Sequence, residues 1–74
     1  METAETKTIE VVVNGAARTI PAGFKIDRLL EWLDIDASRV AVELDGQIVR
    51  KPDWAATEMR EGARIEVVWF VGGG

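Results

Sequence analysis

The 74-residue chain contains no cysteine and no histidine. Their absence rules out a disulfide, a thiol nucleophile, an ordinary zinc site, and any Cys–His or Ser–His–Asp arrangement. It also suits a reducing, cytoplasmic location. Positive charge is in the minority: 9 Lys and Arg stand against 13 Asp and Glu, a net charge of −4. That balance disfavours nucleic acid, whose phosphates select for Lys and Arg. No apolar run approaches the roughly 20 residues that span a bilayer. Met1 to Lys7 is polar and lacks the apolar core of a signal peptide. Carboxylates could serve as acid and base, but so small a domain offers little concave surface in which to tune them. The inventory points to a chain that does no catalysis, holds no metal or bound cofactor, and meets a protein partner with a basic surface.

What remains is the composition of one globular domain, 47% hydrophobic and 30% charged. It lies near the lower size limit for unaided folding, and a monomer is expected. Residues 1–7 read as a loose lead-in, 8–71 as the folded domain and 72–74 as a flexible glycine tail. From Thr8, Ile9, Val11 and Val13 alternate with Glu10 and Val12, and Asn14-Gly15 then turns the chain as a type I′ hairpin. The return strand, Ala16 to Ile20, ends at Pro21. Ile26, Leu29, Leu30 and Leu33 form one apolar stripe at helical spacing, predicting a helix over 26–33. Lys25 is a poor N-cap, and Asp27–Glu31 is a like-charge i,i+4 pair, so packing must hold this helix. Val40, Val42 and Leu44 alternate in a third strand, and Asp45-Gly46 turns it into a short fourth, Gln47 to Arg50. Lys51-Pro52-Asp53 breaks that strand, and Trp54 to Met59 is a connector with room for one helical turn. The last strand starts after Glu61-Gly62 and runs through Ile65, Val67, Trp69 and Val71.

The order is hairpin, helix, hairpin, connector, strand. If the first and last strands pair centrally in parallel, the helix becomes a right-handed crossover covering one sheet face. That is an α+β, ubiquitin-like β-grasp: a mixed sheet of about five strands with one main helix on one face. The inward face is then Ile9, Val11, Val13, Val40, Val42, Leu44, Ile65, Val67 and Trp69. The outward set is Glu10, Val12, Ala41, Glu43, Glu66, Val68 and Phe70. Val12, Val68 and Phe70 make an apolar centre with Glu10, Glu43 and Glu66 around it, the composition of a docking face. The alternative is that Val68 and Phe70 cover a second small core beneath the connector or Trp54. The final strand leads into Gly72, Gly73 and Gly74, which lack a β-carbon and can follow a narrow path. A frayed terminus is the bland alternative for that tail.

The opening IEVVVNG, the helix pattern from Ile26 to Leu33, the strand VAVELDGQIV, the segment around Pro52 and Trp54, and the ending FVGGG together resemble the ThiS family. These are ubiquitin-like sulfur carriers of thiamine biosynthesis. The likeness runs from Ile9 to Gly74. Lys25, where relatives often carry a small capping hydroxyl, and the long lead-in depart from the pattern. The resemblance implies that a ubiquitin-activating-type adenylyltransferase spends ATP on the Gly74 carboxylate. A persulfide donor protein would convert the adenylate to a thiocarboxylate, and thiazole synthase would accept the sulfur. Gly72, Gly73 and Gly74 would enter the partner's active site. The rivals are a molybdopterin-type carrier of the MoaD family, a protein modifier joined through Gly74 to lysine, and a plain interaction module.

Overall fold

The computed structural model describes residues 7–71. The lead-in before Lys7 and the glycine tail lie outside the described residues. Five strands and one α-helix follow one another as β1 (Thr8–Val13), β2 (Ala16–Pro21), α1 (Ile26–Trp32), β3 (Val40–Leu44), β4 (Gln47–Val49) and β5 (Arg64–Trp69). Both hairpins turn as their sequences demand. Asn14 and Gly15 have φ of 50° and 83°, and Asp45 and Gly46 have 51° and 86°, the paired positive values of a type I′ turn.

The sheet order is β2-β1-β5-β3-β4. β5 is central, parallel to β1 and antiparallel to β3. The helix between the two hairpins is the crossover that permits the parallel pair. This mixed sheet with a single main helix is the ubiquitin-like β-grasp.

The core lies between sheet and helix. Val11, Val13, Val40, Val42, Ile65 and Val67 from the sheet meet Ile26, Leu29 and Leu30 from α1, all buried. Trp69, the last inward position, does not join them. It faces Val40 across the ladder but remains 47% exposed, because α1 has ended and no described residue covers that corner. Leu33 is the C-cap rather than part of the helix. β4 stops at Val49, one residue early, and β5 stops at Trp69, two residues before Val71.

The connector is a six-residue 3-10 helix, Lys51–Ala56, with Pro52 in its first turn. It starts before Trp54 because proline's fixed φ and missing N–H suit a helix start. It also supplies core: Trp54 and Met59 are buried with the main cluster. The Trp54 indole N–H donates to the Val49 carbonyl at 2.8 Å, so its one polar atom is satisfied. No second core forms under it among the described residues. Lys25 gives α1 no side-chain cap. The Ile26 N–H donates instead to the Thr57 carbonyl, and Met59 N–H to Phe24. The connector thus does the work of a cap.

Candidate functional site

The sheet face opposite α1 carries the residues singled out for docking, and register decides which of them meet. Ala41 lies opposite Val68, and Glu43 opposite Glu66. Glu43 also lies opposite Ile48 on β4. Directly opposed residues of antiparallel strands share a face, so Ile48, Glu43 and Glu66 form one row across three strands. Ala41 and Val68 form the next row. Phe70 follows just past the end of β5, its N–H donating to the Arg39 carbonyl at 2.9 Å. Ile48, Val68 and Phe70 are 72%, 52% and 64% exposed. They form an apolar patch on the half of the face nearest the chain's exit from the sheet.

Val12 and Glu10 do not belong to that patch. Val12 pairs with Arg64 on one side and Ala17 on the other. Val68 is four residues further along β5, and Glu10 lies two residues in the other direction along β1. At about 3.3 Å per residue, Glu10 is roughly 20 Å from Val68 along the strands. The sequence places all six residues on one face; the short β1–β5 overlap separates them into two groups. The patch therefore comprises Glu43, Glu66, Val68 and Phe70, with Ile48 added. Ile48 was legible in the turn: a two-residue loop at Asp45-Gly46 pairs Leu44 with Gln47 and so Glu43 with Ile48.

Two glutamates directly opposed across a ladder repel one another. The sheet retains Glu43 against Glu66 beside exposed apolar side chains, which makes this half of the face both sticky and negative. A basic, apolar surface complements it. No group of three or more His, Cys, Asp or Glu among the described residues is placed to hold a metal ion, and no described helix is long and apolar enough to cross a membrane.

The last turns of β5 are pinned on both sides. On the β3 side the Arg39 carbonyl holds Phe70. On the β1 side the Asn14 side chain is bidentate: its Oδ1 accepts the Val67 N–H at 2.7 Å, and its Nδ2 donates to the Val67 carbonyl at 3.2 Å. The strand's exit is therefore stiff up to Phe70. Gly72, Gly73 and Gly74, the expected tail, lie outside the described residues.

The model of the ThiS family matches residues 11–74, a span that includes the glycines. This chain belongs to the ThiS family. The crystal structure of a thiamine biosynthesis protein (ThiS) from Geobacter metallireducens superposes with a TM-score of 0.80 at 30% identity, covering 89% of this chain and 100% of that one. Over 66 residues the chain is 36% identical to a thiazole synthase from Paramagnetospirillum magneticum and 33% identical to one from Magnetococcus marinus. It spans 20% of the length of each of those two proteins, so in both a ThiS-like segment occupies about a fifth of a longer polypeptide.

Proposed function

We propose that this ThiS-family chain is the sulfur carrier of thiazole formation in thiamine biosynthesis, a protein co-substrate rather than an enzyme. The observation that carries this reading is the family match through Gly72-Gly73-Gly74, following a central strand stiff up to Phe70. The matched thiazole synthases favour the thiamine branch and a thiazole synthase as partner, over a molybdopterin-type carrier or a protein modifier.

The chemistry starts from a poor electrophile, the Gly74 carboxylate. Its oxygen attacks the α-phosphate of ATP on a partner adenylyltransferase and pyrophosphate leaves, giving an acyl-adenylate. The terminal sulfur of a persulfide on a donor protein attacks the acyl carbon and AMP leaves. A second thiol cleaves the resulting acyl disulfide at the sulfur–sulfur bond, freeing a Gly74 thiocarboxylate and leaving a disulfide on the thiol side. The thiocarboxylate sulfur then passes to thiazole synthase. The carrier's own contributions are reach and address. Glycines admit the carboxylate to a narrow channel where a β-carbon would crowd the approach. The patch of Glu43, Glu66, Val68, Phe70 and Ile48 provides docking affinity that offsets the ordering entropy of the tail. The second group, Glu10 and Val12, adds an orienting contact at the far end of the face.

Intact mass of the protein recovered from its own cells without reductant tests the reading. Replacement of one oxygen by sulfur, mapped to Gly74 and lost on hydrolysis, is expected. An unmodified chain with stable adducts on other proteins would replace it with a modifier. Gly74→Ala is expected to lower adenylation at least tenfold by crowding the channel while leaving the thermal midpoint unchanged; wild-type turnover would sink the channel argument.

A further inference from the structure

The parallel pairing of β1 with β5 is short. Val12 pairs with Arg64 and Val13 with Ile65, and then β1 turns away at Asn14-Gly15 while β5 continues. The Asp45 N–H bonds the Arg64 carbonyl, and the Phe70 N–H bonds Arg39, so even-numbered residues of β5 direct their backbone groups at β3. Odd-numbered ones point to the β1 side: the Ile65 carbonyl accepts from the Asn14 N–H, and Val67 is taken up by the Asn14 amide. The next groups on that side belong to Trp69 and Val71, where β1 is gone. No described residue hydrogen-bonds these β1-side groups, although Trp69 faces Val40 on the other side. Among the described residues, half a strand edge is left open where the chain leaves the sheet.

A groove of about 360 Å³ adjoins this edge on the helix side, lined by Val13, Asn14, Trp32, Leu33, Ile35 and Trp69 together with the charged Arg18 and Asp34. Trp32 is 55% exposed although it stacks edge-on against Phe24. Two half-exposed tryptophans beside unpaired backbone are the two halves of a strand-docking site: main-chain hydrogen bonds supply affinity, and a side-chain pocket supplies selection.

We propose that the Trp69–Val71 edge accepts an extended segment of the protein that receives the tail, pairing with it as a sixth strand and placing an apolar side chain of that segment between Trp32 and Trp69. The proposal rests on the carrier reading above. The chain itself does not supply the occupant. Gly72–Gly74 have no side chains to fill the groove. Lys7, to which residues 1–6 are bonded, lies at the start of β1, some ten residues of strand, or roughly 33 Å, from Trp69, and a six-residue segment spans at most about 21 Å. A second copy meeting edge to edge gains only the two residues Trp69 and Val71 on each side, far below the roughly 800 Å² per partner of a stable dimer. A strand from a partner already docked on the outer face meets neither limit.

Amide hydrogen exchange on the complex with the purified adenylyltransferase of the same cells, with ATP withheld, tests it. The Trp69 and Val71 amides should become protected. Val71→Pro removes one edge donor without touching the β3 ladder and should weaken binding about fivefold to tenfold, the worth of one or two such bonds. Trp32→Ala, in the groove but outside the edge, should weaken it as well. Unprotected amides, with Val71→Pro and Trp32→Ala both binding within twofold of wild type, would overturn the strand site; if Val68→Glu still abolished binding, docking on the outer face would stand without it. Concentration-dependent protection in the free protein would make the occupant a second copy and overturn the assignment. Failure of the wild type to bind at all would remove the carrier reading, and the strand site with it.

Discussion

At the scale of single residues, Asn14 has two tasks, making the hairpin turn with a φ of 50° and clamping Val67 with its amide. Asn14→Gly keeps the turn, since glycine accepts that φ freely, and loses only the clamp. Asn14→Ala loses both, and about 1–3 kcal/mol of stability is expected to go with it. Urea unfolding of the two variants separates the tasks; a glycine variant as stable as wild type would show that the clamp contributes nothing. Asp36 is a second local device. Its carboxylate accepts from the Ser38 hydroxyl at 2.7 Å and the Ser38 N–H at 3.0 Å, and these bonds, the hydroxyl first, hold its pKa below the usual aspartate value. A depressed carboxylate contributes stability above its unfolded pKa of about 3.8 and loses it as pH falls through the folded one. Full exposure keeps the effect small. Ser38→Ala should return the Asp36 midpoint in an NMR titration towards the ordinary value; an unmoved midpoint would remove the hydroxyl from the account.

Among the elements, α1 depends on its neighbours. Seven residues are too few to persist alone in water, and its start is held by Thr57 rather than by a cap. Leu29, fully buried, is the residue through which the sheet repays it. Leu29→Ala is expected to cost about 2–5 kcal/mol, read from the shift of the unfolding midpoint. A cost below 1 kcal/mol would mean that the helix is peripheral. The elements were mostly legible because alternation and helical spacing are properties of the chain: every strand, both turns and the helix stripe could be placed from them. What could not be read has a common cause. Trp54 and Met59 enter the core from a connector with no apolar period, so nothing local marks them as buried. Trp69 carries the right phase for burial but sits beyond the end of the helix that would cover it. The split of Glu10 and Val12 from the patch depends on how far β1 overlaps β5, a tertiary register that neither strand encodes alone.

For the whole molecule, the proposed docking role of the outer face sets stability against association. Replacing one of the opposed glutamates by lysine, as in Glu66→Lys, turns a repulsive cross-strand pair into an attractive one and should raise stability by about 0.2–1 kcal/mol. On the proposed carrier reading, the same change should slow association with the adenylyltransferase and flatten its dependence on ionic strength. Stopped-flow binding at low and physiological salt, beside a denaturation curve, reads both; a variant that binds as fast as wild type would mean that the glutamates serve no partner. The central place of β5 has a further consequence, for synthesis. The strand that divides the sheet into its two hairpins is made after both of them. A nascent chain ending before Arg64 holds two hairpins with no strand between them, and its helix has half a face to cover. The domain can close only once β5 has emerged as far as Trp69, so a chain broken off before Arg64 lacks the central strand and is expected to be unfolded and open to proteases.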